Sequence, residues 1–100
     1  MRFEFDWDPV KAASNVAKHG VAFEDAMTVF LDPLALSRPD NESGLGEERW
    51  ITIGQSHDRS LLLIVHTYVE VSEELVGIRV ISSRPPTRRE ARQSEEGTLE

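Results

Sequence analysis

Hydrophobic and polar residues alternate along several stretches of the chain, and this period of two is typical of a strand with one buried face. Three segments follow the pattern: residues 3–7, 49–55 and 76–83. Residues 61–69 are instead apolar on both faces at their beginning, which favours a central strand. We therefore expect a sheet in which residues 61–69 lie in the middle, with Leu63 and Val65 deeply buried.

Three other segments carry the signals of helices. Asp8 followed by Pro9 is typical of a helix N-cap and first turn, and Gly20 is a natural stop. The apolar residues of this segment predict its inner face: Val10, Ala13, Val16 and Ala17. A second helix is predicted by four apolar residues at helical spacing: Phe23, Ala26, Met27 and Phe30. A third helix begins at Thr87, whose spacing to Glu90 matches a capping box.

This order of elements predicts an α+β fold: an antiparallel sheet with two N-terminal helices and one C-terminal helix. Residues 34–37 add a short strand, and the polar residues 38–48 are expected to form a mobile loop. A single domain is expected over residues 1–96, followed by a flexible tail of residues 97–100.

Composition and charge narrow the function classes. The chain has 100 residues, 39% hydrophobic and 29% charged, which is a globular composition, and no cysteine, which excludes disulfides and thiolate metal sites. Its net charge of −7 argues against a broad nucleic-acid-binding surface, because phosphate contacts need lysine and arginine. Residues 79–92 nevertheless carry five arginines and a single acid, Glu90, so one local cationic site is compatible with the charge. No apolar run approaches the length that a membrane span needs, and the lack of cysteine is compatible with a reducing cytoplasm.

Several motifs together resemble the BrnT family of bacterial toxins, in order and with compatible spacing. They are Phe5-Asp6-Trp7-Asp8-Pro9, Lys18-His19-Gly20-Val21, Phe23-Glu24-Asp25-Ala26, Glu48-Arg49-Trp50 and the segment from Ile78 to Arg84. The resemblance implies a RelE-like fold, a cytoplasmic location and a ribonuclease that stops growth. It also implies a BrnA-like antitoxin with a ribbon-helix-helix domain, a 2:2 complex, and contact with operator DNA only through that antitoxin.

The last helix departs from the family pattern. Ala91 stands where the family usually has arginine, and Ser94 where it has tyrosine. A second interpretation is therefore a catalytically degenerate module that only binds an antitoxin-like partner. A third is a structural domain without catalytic descent.

Metal-free RNA cleavage needs a base for the attacking 2′-hydroxyl, an acid for the leaving oxygen, and cations for the charge that builds on phosphorus. The resemblance makes five residues the catalytic candidates: Lys18, His19, Arg49, Arg79 and Arg84. Three more are candidates for RNA binding: Trp50, His66 and Arg88. No cofactor and no metal ion are expected, since the three histidines lack ligand spacing.

Each candidate also has a structural interpretation. Lys18 and His19 suit the end of a helix, where positive charge is favourable. Arg79 and Arg84 are equally suited to salt bridges with the many acidic residues. Trp50 and His66 fit a core as well as a site, and Glu90 is better explained by capping than by catalysis.

Overall fold

The computed structural model describes residues 1–40 and 48–99. Its strands are β1 (Arg2–Asp6), β2 (Leu36–Pro39), β3 (Trp50–Gln55), β4 (Leu61–His66), β5 (Val69–Glu70) and β6 (Leu75–Arg84). Its helices are α1 (Pro9–His19), α2 (Phe23–Ala26), which continues as a 3-10 helix over Met27–Leu31, and α3 (Arg88–Glu95). Within the described residues, no helix is both long and apolar enough to cross a membrane.

The strands form one sheet in the order β1-β6-β4-β3-β2, with β5 pairing to β6. β1 runs parallel to β6, from Arg2 beside Leu75 to Asp6 beside Arg79, and the other pairs are antiparallel. The expectation of a fully antiparallel sheet was therefore wrong. Alternation along β1 shows only that one face is buried, and it is the same for either strand direction.

The middle position of β4 confirms the central strand predicted over residues 61–69, although the strand ends at His66. Leu63 is 2% exposed, as expected. Val65 is only half-buried, because one of its cross-strand neighbours is the small Ser82. Most of the predicted loop 38–48 lies outside the described residues, but Arg38 and Pro39 belong to β2.

One face of the sheet packs against α2 and the 3-10 helix that follows it, and we call it the helix face. It carries Leu62, Ile64, Val76, Ile78 and Val80, which form one buried cluster with residues of α2 and the 3-10 helix. The helical partners are Phe23, Ala26 and Val29, spaced three apart. Because a 3-10 helix has three residues per turn, this spacing buries Val29 fully, while Phe30 is partly buried and packs against the same cluster.

Gly54 allows the 3-10 helix to lie directly on β3. A Cβ atom at this position would stand 2.8 Å from Val29 Cγ1 and 2.9 Å from the Ala35 Cβ. Both distances are shorter than ordinary carbon–carbon contacts. The absence of a side chain at Gly54 therefore sets how closely these two elements approach.

The predicted ends of α1 are confirmed, but its predicted inner face was wrong. The Asp8 carboxylate accepts from the Val10 backbone N–H, and Gly20 closes the helix with φ +70°. Val10 and Val16 are 76% and 49% exposed, whereas the buried residue of the helix is Asn15. The helix is thus oriented by a polar contact with the sheet, which an apolar pattern cannot reveal.

Asn15 bonds the edge of β6 that β1 leaves free. β1 pairs with β6 only as far as Arg79, so the later residues of β6 have no strand on that side. The Asn15 amide donates to the Ser83 carbonyl oxygen at 2.8 Å, and its Oδ1 accepts from the Ser83 N–H at 3.0 Å. The same amide donates to the carbonyl oxygen of Val21 at 2.9 Å. The Asn15 side chain therefore makes the backbone hydrogen bonds that a neighbouring strand would make at this edge.

The start of α3 is held by one carboxylate. The predicted capping box is confirmed: the Thr87 hydroxyl accepts from the Glu90 N–H, and Glu90 accepts from the Thr87 N–H. Both oxygens of Glu90 also accept from the Arg84 guanidinium, at 2.8 and 3.0 Å. The hydrogen bonds from Arg84 lower the pKa of Glu90 to about 2.

Replacing Asn15 with alanine should strongly destabilise the domain. The change leaves the buried N–H and carbonyl of Ser83 and the carbonyl of Val21 without their partner. We expect the free energy of unfolding, measured with urea, to fall by on the order of 2–4 kcal/mol. Ser14→Ala, one residue away on the exposed side of α1, is the control and should change little. A loss well below 1 kcal/mol in Asn15→Ala would contradict the role given to this side chain.

The stability supplied by Glu90 should depend on pH in a defined window. Because its pKa is lowered in the folded state, its contribution is complete above the ordinary value of 4.5 and is lost as pH falls toward about 2. The difference in thermal midpoint between the wild type and Glu90→Gln should therefore be largest at pH 6 and shrink as pH falls. Glu95→Gln, on the same helix, serves as the control. A difference that stays constant with pH would show that the ion pair contributes nothing.

Candidate active site

Two of the candidate arginines lie on one face of β6. Ile78 and Val80 point into the core, so Arg79 between them points to the opposite face. An irregularity opposite Val65 and His66 inserts one residue into β6. Arg84 nevertheless returns to the same side as Arg79, since it stands opposite Leu63 there.

Arg49 belongs to the same face. The Asp40 N–H donates to the Arg49 carbonyl at 2.8 Å, which continues the β2–β3 pairing by one residue. Alternation then places Arg49 on the side of Ile51, whose partner across β2 is Arg38. We call this surface, with its four residues Arg38, Arg49, Arg79 and Arg84, the arginine face. The sequence analysis missed Arg38, because it assigned that residue to a loop.

Lys18 and His19 approach the arginine face from the edge of the sheet. Both are exposed in the last turn of α1, and they line a depression of about 170 Å³ together with Ile81 and Ser82. Ser82 stands opposite Val65, which puts it on the arginine face between Arg79 and Arg84. The structure therefore brings Lys18 and His19 next to Ser82, a residue that the sequence analysis did not select.

Each arginine of β6 also has a carboxylate partner. Arg79 donates to Asp6 of β1 at 3.0 Å, with side chains 49% and 67% exposed. Arg84 is held by both oxygens of Glu90, and these hydrogen bonds raise the pKa of Arg84. Exposed ion pairs of the first kind contribute little stability and exchange readily, whereas the forked pair is the firmer one. Arg79 is therefore the more available cation.

His66 is not a surface residue. It is 1% exposed, its ring meets Phe30 edge-on at 4.9 Å, and burial lowers its pKa. Nδ1 lies 2.8 Å from the Thr67 carbonyl and Nε2 lies 2.7 Å from the Thr52 hydroxyl. Both ring nitrogens therefore have partners inside the protein.

A second and larger depression lies on the helix face, beside β2 and β3. Its volume is about 460 Å³. We call it the aromatic pocket, after Phe3, Phe30, Trp50 and Tyr68, which line it together with Ser37 and Thr52. Trp50 and Tyr68 are half-buried there, with ring centroids 6.3 Å apart. Of the three RNA-binding candidates, Trp50 and His66 share this pocket, and Arg88 lies apart from them, exposed in the first turn of α3.

His57 takes no part in either surface. Its Nε2 lies 2.7 Å from Asp25 Oδ1, and this hydrogen bond raises the pKa of His57. The Thr28 hydroxyl accepts from the His57 N–H, so the β3–β4 hairpin loop is bonded to α2 through Asp25 and to the 3-10 helix through Thr28. Among the described residues, no three histidine, aspartate or glutamate side chains group as they would around a metal ion.

Comparison with known proteins shows the fold and the family of this chain. No curated protein matches the chain. The crystal structure of the Brucella abortus ribonuclease toxin BrnT is similar, with a TM-score of 0.63 and 22% sequence identity, covering 87% of this chain and all of that one. At this identity the similarity shows the fold, including its α+β character. A family model described as the ribonuclease toxin BrnT of type II toxin–antitoxin systems matches residues 7–90. Since this match spans most of the described domain, the chain belongs to the BrnT family of ribonuclease toxins.

Proposed function

We propose that this protein is a metal-independent endoribonuclease of RelE-like type, whose site lies where the arginine face meets the end of α1. The observation that supports this most is the position of Ser82. It shares a face with Arg79 and Arg84, and it shares a depression with Lys18 and His19. Basic side chains from two separate segments, the end of α1 and β6, therefore lie around one small residue.

The chemistry suited to this arrangement begins with the ribose 2′-hydroxyl next to the scissile phosphate. As its oxygen forms a bond to phosphorus, its proton leaves to a base and the bond from phosphorus to the 5′-oxygen breaks. A proton is then delivered to the 5′-oxygen, leaving a 2′,3′-cyclic phosphate and a free 5′-hydroxyl. Imidazoles exchange protons near neutral pH, which makes His19 the candidate proton carrier. The arginines and Lys18 offset the extra negative charge at phosphorus.

The carboxylate partners shape how substrate would bind. In the free protein, Asp6 neutralises Arg79 and Glu90 neutralises Arg84. An RNA phosphate has to compete with Asp6 for Arg79, which is the easier exchange because that pair is exposed and joined by a single hydrogen bond. Arg84 keeps Glu90 and contributes mainly by fixing the start of α3 beside the site.

A second function is favoured by α3 and by the same ion pairs. Ala91 and Ser94, the two departures from the family pattern, are half-buried on α3 and offer neither a cation nor an aromatic ring. A protein in which Asp6 and Glu90 keep Arg79 and Arg84 engaged would bind an antitoxin without cleaving RNA. Ribonuclease activity of the purified protein decides between the two functions.

The expected partner is a BrnA-like antitoxin with a ribbon-helix-helix domain. Membership of a type II toxin family implies an antitoxin partner. A ribbon-helix-helix part dimerises, so two toxins bridged by an antitoxin dimer give a 2:2 complex, and operator DNA is contacted by the antitoxin alone. The expected location of this complex is the cytoplasm.

Purified protein should cleave single-stranded RNA in the presence of EDTA, and Arg79→Ala should lower the rate about a hundredfold, as is typical when one transition-state charge contact is lost. Asp6→Asn separates catalysis from structure, because it breaks the same ion pair but leaves the cation in place. We expect Asp6→Asn to stay within a few-fold of the wild type. Arg59→Asn, in the hairpin loop away from the arginine face, is the charge-matched control.

Two outcomes would contradict this proposal. Intact RNA after incubation with the wild-type protein would favour the non-catalytic module. Equal loss of activity in Asp6→Asn and Arg79→Ala would show that Arg79 acts only through its ion pair with β1.

Co-expression with the product of the neighbouring gene should yield a stable complex. The net charge of −7 attracts a basic partner, so the association rate should fall as salt rises, while apolar contacts keep the assembled complex intact. Stopped-flow fluorescence gives the rate, and light scattering gives the mass expected for two copies of each chain. Failure to form a complex at both low and high salt would remove the antitoxin from the proposal.

A further inference from the structure

The floor of the aromatic pocket is a chain of hydrogen bonds that ends at the surface. His66 Nε2 lies 2.7 Å from Thr52 Oγ1, which lies 2.7 Å from Ser37 Oγ. Thr52 and His66 are 2% and 1% exposed, whereas Ser37 is exposed on β2. The Ser37 hydroxyl is therefore the exposed end of this chain of hydrogen bonds.

Which group donates in each of these hydrogen bonds is determined by His66, at the buried end of the chain of bonds. His66 Nδ1 contacts the Thr67 carbonyl, which only accepts, so Nδ1 carries the hydrogen. In the neutral ring Nε2 then accepts, and the Thr52 hydroxyl donates to it. Thr52 has no second hydrogen, so the contact between Ser37 and Thr52 must use the hydrogen of Ser37. The burial that lowers the pKa of His66 favours this neutral form.

The hydrogen of the Ser37 hydroxyl is therefore used on Thr52, and its oxygen has only lone pairs to offer a ligand. A ligand in the pocket can donate a hydrogen bond to Ser37 but cannot accept one from it. Asp32 lies on the rim, with its two oxygens held by the N–H groups of Leu34 and Gln55, and its negative charge disfavours a phosphate. The ligand class that fits is a flat, apolar ring with an N–H donor.

The position of the pocket connects it to the arginine face. In the sheet formed by the described residues, β2 is one of the edge strands, and its successive residues Ser37 and Arg38 point to opposite faces. A bound polymer that crosses this edge can place a ring against Ser37 and a phosphate near Arg38. RNA has this alternation of flat bases and phosphates, and bases stack well on aromatic side chains.

We propose that the aromatic pocket binds one base of the RNA, and that Ser37 selects a base with an exocyclic amino group. This inference rests on the proposed ribonuclease function, since it takes RNA as the ligand. The aromatic rings supply contact area for any base, whereas Ser37 supplies the discrimination. A base that presents only acceptors to Ser37 leaves the serine oxygen without a partner.

The test compares adenosine with purine riboside, which differ only by the 6-amino group. Binding is followed by NMR on the indole N–H signals of the two tryptophans, Trp50 in the pocket and Trp7 as an internal control outside it. Adenosine should shift Trp50 but not Trp7, and should bind about tenfold more tightly than purine riboside. In Ser37→Ala the two nucleosides should bind equally. Ser60→Ala, an exposed serine in the hairpin loop, should keep the preference.

Each other result overturns the proposal. Equal binding of the two nucleosides to the wild type, or a preference retained in Ser37→Ala, excludes selection by Ser37. If nucleosides leave Trp50 unchanged while the antitoxin shifts it, the pocket is a protein-docking site instead. The outcome is independent of catalysis: RNA cleavage without nucleoside binding refutes the pocket alone, and nucleoside binding without cleavage refutes the proposed ribonuclease alone.

Discussion

The whole arrangement depends on how the two edges of β6 are satisfied. One edge bonds to β4 and β5, and the other bonds first to β1 and then to the side chain of Asn15. Without Asn15, the buried backbone of Ser83 would lack partners where α1 covers it, at a cost of roughly 1–3 kcal/mol for each unsatisfied group. The same contact fixes the end of α1, and thereby places Lys18 and His19 beside Ser82. A structural hydrogen bond and the geometry of the candidate site therefore have one origin.

The features that were predictable from the sequence are those with local causes. Asp8, Gly20 and Thr87 act through neighbouring backbone groups, so the ends of the helices followed from short motifs. The features that were not predictable depend on distant partners. The inner side of α1 is set by a contact of Asn15 with residue 83, and the direction of β1 is set by its pairing with β6.

The same division applies to the candidate site. Alternation along β6 was enough to predict that Arg79 leaves the core, and resemblance to a family selected the cations. The carboxylates that face those cations come from β1 and α3, and sequence spacing contains no information about such pairs. The role of His66 could not be decided from the sequence for a physical reason. A histidine at the polar end of an apolar strand gives the same sequence pattern whether its ring bonds to a buried partner such as Thr52 or to a ligand at the surface.

The parallel pairing of β1 with β6 has a consequence for the order in which the chain can assemble. The hydrogen bond between Asp6 and Arg79 joins residues that are 73 positions apart in the sequence, and the one between Asn15 and Ser83 joins residues 68 positions apart. Contacts of such long sequence separation close late, because the intervening chain must first lose its freedom. On a ribosome, which makes the N-terminal part first, β1 and α1 have to wait until β6 has emerged. The cationic surface around Ser82 is therefore among the last parts of the molecule to form, and an unfinished chain does not possess it.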